Sequence, residues 1–218
     1  MTGVECVMTD LKTRQLILAS SSPRRISLLK EAGLNPIVSP SSVDESVPIG
    51  LDFKETVMFL ALKKALSKEA ELLSKSIPNS VIVGADTVVS YDNKILGKPT
   101  NFDEAFETLV MLKNTFHEVA TGVAVLEPGT YNRQIFVSTT KVTFDNYTDQ
   151  NIIDYINSGE VWDKAGSYAI QGSWGKHVVK YDGDYNNIVG LPVEELLINL
   201  RNKFSMPNIK KDKCMLYE

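Results

Sequence analysis

The side chains able to do chemistry fall in a few short stretches of this 218-residue chain. The first is Ser20-Ser21-Ser22-Pro23-Arg24-Arg25. Proline is favoured in the first turn of a helix, so this stretch reads as a strand-to-helix junction. Free backbone N–H groups and the positive end of the helix dipole meet at such a junction. Hydroxyls and guanidiniums added there suit phosphate oxygens. Ordinary N-capping by Ser22, with both arginines in solvent, is the plainer alternative. The second stretch is Gly84-Ala85-Asp86-Thr87, directly after Val81-Ile82-Val83. A carboxylate closing a buried strand is costly unless it is paired, hydrogen-bonded or bound to a cation. That edge of an open α/β sheet is also where ligands bind. An aspartate capping the next turn would leave the same trace.

Asp44-Glu45 is the third stretch, in a polar loop. It offers a second metal ligand beside Asp86, since Mg²⁺ favours one or two carboxylates plus substrate phosphates; a solvated loop charge is the alternative. Lys64 follows Val57 and Leu60 at helical spacing, so it either snorkels or reaches a polar cleft. Lys98 is held between Gly97 and Pro99, which constrains its backbone. An acidic set with a basic set, and no nucleophile–His–acid arrangement, is the inventory of metal-assisted phosphoryl chemistry. His117 and His177 read as structural, and Trp162 and Trp174 as core or rim packing.

Composition narrows the partners. Against 23 Lys+Arg stand 27 Asp+Glu, a formal charge of −4 with a pI near 5.3. A protein that grips duplex DNA by its phosphates needs a basic face, so nucleic acid is not expected. Cys6 and Cys214 fit neither a disulfide framework nor a zinc site, which points to a reducing compartment. The opening residues lack a secretory signal, and no apolar run approaches the roughly 20 residues that cross a bilayer. A soluble, cytoplasmic protein without membrane association is expected.

Strands and helices must position these residues. Gln15–Ala19 reads as a buried strand and Pro23 to Ala32 as a helix stopped by Gly33. Pro36–Ser39 is a short strand, and Asp52 to about Ser74 a long helix with Phe53, Val57, Leu60, Ala61 and Ala65 on one side. Ser80–Ala85 reads as a strand, separate from Val88–Ser90, which pairs with Lys94–Leu96 about a turn. Asp103–Lys113 is helical, and Val119–Leu126 and Gln134–Phe144 alternate as paired strands. Thr148–Ser158 is a helix, His177–Tyr181 a strand and Val193–Lys203 a closing helix. Residues 1–14 read as a flexible leader, 15–204 as one domain and 205–218 as a polar tail. The interleaving predicts an α/β fold with a mixed sheet.

Several stretches together resemble the Maf family of nucleoside triphosphate pyrophosphatases. In order they are LILASSSPRRISLLKEAGL, DES, LALKKA, VGADTVV, LGKP, ATGVAV, DKAGSYAIQG and YNNIVGLPVEEL. The resemblance implies a single Maf/ITPase-like domain, a twisted mixed sheet flanked by helices with a cleft between two lobes. It implies hydrolysis of a nucleoside triphosphate to monophosphate and pyrophosphate, assisted by Mg²⁺ or Mn²⁺, and is compatible with a homodimer. Asp86 matches the proton acceptor that activates water, and Glu45 an acidic position that helps it hold metal. Ser20, Arg25, Lys64 and Lys98 match the phosphate-binding set; Lys64 is chosen over Lys63 by its match to the second lysine of KKA. Arg24, Thr87 and Gln171 match positions that set base preference, in the pattern of the subfamily acting on dTTP and UTP. The leader before Leu16 and the tail after Phe204 extend past the family core. Two rivals stand beside this expectation: an ITPase-type purine triphosphate pyrophosphatase, and a non-catalytic nucleotide-binding regulator of cell division.

Overall fold

The computed structural model describes residues 14–75 and 79–206. The leader and tail therefore lie almost wholly outside the described residues, with Cys6 and Cys214. Arg14 is described, and it belongs with the domain: its guanidinium pairs with Glu127 and donates to the Phe204 carbonyl.

A seven-stranded sheet organises the fold. In chain order its strands are β1 (Gln15–Leu18), β2 (Ile37–Val38), β3 (Ser80–Tyr91), β4 (Lys94–Leu96), β5 (Phe116–Leu126), β6 (Arg133–Phe144) and β7 (Val178–Asp182). Their spatial order is β2-β1-β3-β5-β6-β7, with β4 also on β3. β1 runs parallel to β2 and β3, and the remaining pairs are antiparallel. The helices are α1 (Pro23–Glu31), α2 (Phe53–Ser74), α3 (Phe102–Leu112), α4 (Asp149–Asn157), α5 (Tyr185–Val189) and α6 (Val193–Phe204). Local chemistry sets their ends. Ser22 caps α1, Asp52 and Glu55 form a capping box on α2, and Thr148 and Asn151 form one on α4. The mixed α/β sheet agrees with the sequence.

The chain departs from expectation at β3. Ser80–Ala85 and Val88–Ser90 are one continuous 12-residue strand, so Asp86 sits mid-strand, opposite Gly122 of β5. Asp86 does not close its own strand. It lies beyond the end of β1, whose pairing with β3 stops at Leu18 opposite Val83. Pairing on that edge resumes only at Val89, opposite Leu96 of β4. Gly84 to Val88 thus form a window where β3 has a neighbour on one edge alone. Three short segments also went unpredicted: α5 and the 3₁₀ turns Ala165–Ser167 and Ser173–His177.

Different cores flank the window. Val81, Val83 and Ala85 pack with α1, α6 and alternate residues of β5, while Val89 packs with α3, α4 and Trp174. On the other face, α2 lies directly on the sheet. A Cβ at Gly84 would meet the Ala61 carbonyl oxygen at 2.3 Å, and one at Gly122 would meet the Val57 carbonyl at 2.3 Å. No real Cβ tolerates such contacts, so both positions must be glycine for the helix to sit this close.

The histidines are structural. His117 is buried, with Nε2 in a 2.7 Å hydrogen bond to the Tyr168 hydroxyl and Nδ1 without a hydrogen-bond partner among the described residues. His177 Nδ1 lies 3.0 Å from Asp145. Trp174 is core and Trp162 lies at the surface.

Two expectations follow. Gly122→Ala forces α2 away from β5, and chemical denaturation should show a loss of about 1–3 kcal/mol or more. Burial pushes the His117 imidazole down to about 3. The unfolded chain therefore takes up this proton near pH 6.5 while the folded chain does not. The stabilisation is present above that pH and fades below it, by about 1.4 kcal/mol per unit. Urea titrations at pH 6.5 and 5 should show a smaller loss for His117→Gln than for the native chain.

Candidate functional site

The window in β3 exposes opposite faces of successive residues, and each face finds a cation. Asp86 shares a face with Gly84 and Gly122, the face on which α2 rests. That contact carries Lys64 to Asp86, and its ammonium donates to Asp86 Oδ1 at 2.6 Å. The same ammonium lies 2.8 Å from Glu45 Oε1 in the loop after β2. Lys64 and Asp86 are largely buried, with side chains 13% and 14% exposed, whereas Glu45 is mostly exposed. The neighbours repeat the match: Lys63 donates to the Ser46 carbonyl at 3.3 Å and stands 3.9 Å from Asp44. Adjacent lysines on α2 thus receive adjacent acids from the loop, which fixes the loop's register over the window.

Thr87 points the other way, to Arg25. This guanidinium is buried and nearly saturated. Nε donates to Gly190 O at 2.8 Å, Nη1 to Ser20 Oγ at 3.0 Å and Ala85 O at 2.9 Å, and Nη2 to Thr87 Oγ1 at 2.9 Å. Ala85 O lies inside the window, so Arg25 occupies part of the open edge of β3. The pattern ties together the β1–α1 turn, β3 and the turn between α5 and α6. Thr87 Oγ1 continues to Thr121 Oγ1 at 2.9 Å, and Thr121 donates to the Asn187 carbonyl at 3.2 Å. Ser22 caps α1 as the plain alternative held, while Ser20 accepts from both Ser22 N–H and Arg25. Capping and clamping coexist.

The electrostatics agree with one shared site. Lys64 holds the Glu45 carboxyl below the usual carboxylate range; burial opposes this, and the charges of Lys98 and Arg25 add to the lowering. Burial lowers the pKa of Arg25, with Asp86 and Glu45 acting to raise it and Arg24 to lower it. Ser20, Arg25, Thr87, Asp86, Lys64 and Glu45 therefore form one connected set. Lys98 and Arg24 are exposed residues within reach of its field.

Gln171 stands apart. It is exposed on a turn fixed by Ser173 N–H donating to Glu160 Oε2 at 2.9 Å, and among the described residues no hydrogen bond or ion pair ties its side chain to the window. It lies between Ile170 and Gly172, which line a hollow of about 600 Å³ with Lys176, Val179, Tyr181 and Tyr185. That hollow contains none of the acidic and basic set.

As to metal, no group of three or more His, Cys, Asp and Glu side chains comes together among the described residues. Glu45 and Asp86 nonetheless turn oxygens towards one point, where the Lys64 ammonium stands. The donor set, two carboxylates facing a cation, fits a hard ion that completes its shell from phosphates and water.

Lys64→Met leaves Asp86 without its cation, so stability should fall by roughly 2–3 kcal/mol. The Glu45 carboxyl should titrate higher, moving towards its ordinary value of 4.5. The native Glu45–Lys64 contribution is present above that pH and fades as acid protonates Glu45. Carboxyl NMR titration of both proteins reads the difference.

Sequence comparison adds an independent line. The family pattern described as Maf-like protein matches residues 15–203. A protein of Lachnoclostridium phytofermentans named dTTP/UTP pyrophosphatase is 41% identical over 202 residues, covering 90% of this chain and 98% of its own. Proteins with the same name from Geobacillus sp. and Bdellovibrio bacteriovorus are 44% and 40% identical, covering 83% and 87% of this chain and 93% and 98% of their own. With this match over nearly all of the described residues and relatives this similar, the chain belongs to the Maf family.

Proposed function

We propose that the chain hydrolyses pyrimidine nucleoside triphosphates, dTTP and UTP, to the monophosphate and pyrophosphate. The Lys64 bridge between Asp86 and Glu45, beside the open edge of β3, carries this reading. The relatives' shared name supports the pyrimidine choice.

Asp86 accepts a proton from a water molecule as that water's oxygen bonds to the α-phosphorus. The bond from the α-phosphorus to the oxygen bridging to the β-phosphorus breaks, and its electron pair leaves on pyrophosphate. Lys64 and Lys98 stabilise the charge that builds on the leaving group, the electrostatic contribution that dominates such reactions. Arg25, with most donors committed within the protein, positions Ser20 and Thr87 and keeps one Nη2 hydrogen for a phosphate oxygen. Mg²⁺ or Mn²⁺ held by Glu45 and Asp86 would supply further charge neutralisation at the phosphates. The family resemblance gives base choice to Arg24, Thr87 and Gln171, and a glutamine amide offers the paired donor and acceptor that a pyrimidine edge requires. Among the described residues no helix is long and apolar enough to cross a membrane, in keeping with a cytoplasmic substrate.

A panel of dTTP, UTP, ITP and methylated GTP, with pyrophosphate detection and with or without chelator, tests the proposal. dTTP and UTP should be turned over at least about a hundredfold faster than ITP, and chelator should stop the reaction. Asp86→Asn should lower kcat by about 10²–10⁴ while nucleotide binding survives. Strong ITP turnover without dTTP or UTP turnover would refute the substrate assignment.

A further inference from the structure

The segment after α4 carries a cation that the proposed reaction leaves without a role. Asp163, Gly166 and Ser167 take φ values of 62°, 69° and 61°. Left-handed backbone is disfavoured for the non-glycine residues among them, so the segment is held in a tight fold by its surroundings. Two contacts do the holding. Gly166 N–H donates to the Gly97 carbonyl at 3.1 Å. A Cβ at Gly166 would also meet Val89 Cγ1 at 2.8 Å, so the segment presses on β3 three residues beyond Asp86. Lys164 precedes Gly166 by two positions, and Lys98 follows Gly97 directly. The backbone bond between the two segments sets both lysines on one rim.

Lys164 is half-buried and poorly compensated. Its ammonium donates only to the Trp162 carbonyl, at a long 3.4 Å, and it forms no ion pair among the described residues. Burial lowers its pKa first, then the charges of Arg24 and Lys98; Asp163 and Glu160 act in the opposite sense. Arg24 from α1 and Lys98 from the turn after β4 thus both act on Lys164. Like charges gathered this way repel, and each neutral substitution would relieve the strain. A polyanion between them would convert the repulsion into attraction.

We propose that Lys164 is a further substrate-binding residue, joining Lys98 to grip the β- and γ-phosphates of the triphosphate. The assignment rests on the triphosphate reading above and extends it to a residue outside the set taken from the motifs.

Kinetics on UTP, with inhibition by inorganic pyrophosphate and by UMP, tests it in the native chain, Lys164→Met and Lys164→Arg. Met keeps the apolar stem and removes the charge; Arg keeps the charge. Lys164→Met should raise KM for UTP and weaken pyrophosphate inhibition at least tenfold, with UMP inhibition changed less than twofold. Lys164→Arg should recover most of the loss. Pyrophosphate inhibition within twofold of native, or equal loss of pyrophosphate and UMP inhibition, would overturn the proposal. If Lys164→Met folds poorly, Lys164→Gln replaces it in the same assay. A native chain that binds pyrophosphate but turns over no UTP would overturn the hydrolytic reading instead. Calorimetric pyrophosphate affinities of native and variant would still decide the role of Lys164.

Discussion

The close seating of α2 on β3 and β5 governs the rest of the molecule. Glycine at positions 84 and 122 lets the helix backbone approach to a distance that any side chain would forbid. Val57, Ala61 and Ala65 then bury completely against the sheet. The helical phase that buries them turns Lys64 to the window and places its ammonium 2.6 Å from Asp86. A mid-strand carboxylate with little solvent is tolerable only with such a partner. Packing and chemistry are here one constraint: the glycines that admit the helix also position the cation that pairs with Asp86.

The window adds a second requirement. Where β1 has ended and β4 has not begun, the edge of β3 would leave backbone groups unpaired. Arg25 meets part of that need through Ala85 O, and in doing so ties β3 to the β1–α1 turn and to Gly190. The site is therefore built on a break in the sheet, one face served by a lysine from α2 and the other by an arginine from α1. Successive residues, Asp86 and Thr87, report to opposite faces because a strand alternates its side chains. On the proposed reading, proton chemistry and substrate positioning are thereby separated within a single dipeptide.

Most elements were legible because their signals are local. Pro23, Gly33, the Asp52 cap and the alternation of β5 and β6 each act within a few residues. The continuity of β3 was not. Gly84 and Asp86 interrupt an apolar run and so read as a strand ending, yet the glycine serves α2 and the aspartate serves Lys64, both distant in sequence. The matching of Asp44-Glu45 with Lys63-Lys64 was likewise hidden, since it depends on a loop folding back over a helix. α5 is too short for its period to show; it is fixed by Asn187, whose side chain reaches Val119 O and Thr140. Arg25 reads in the sequence as an arm for phosphate, and its burial makes it an internal clamp as well. No sequence rule weighs donors that the fold itself will consume. Nothing local marks Lys164, because the charges that act on it, Arg24 and Lys98, are remote along the chain.

Crystallography with a UTP analogue carrying an imido bridge between the α- and β-phosphates would test the central claim most directly. The account predicts the α-phosphorus over residues 84–88, one water molecule away from Asp86, with the outer phosphates lying towards the lysines. A triphosphate seated instead in the hollow beside Tyr181 and Tyr185, leaving the Lys64 bridge untouched, would contradict it.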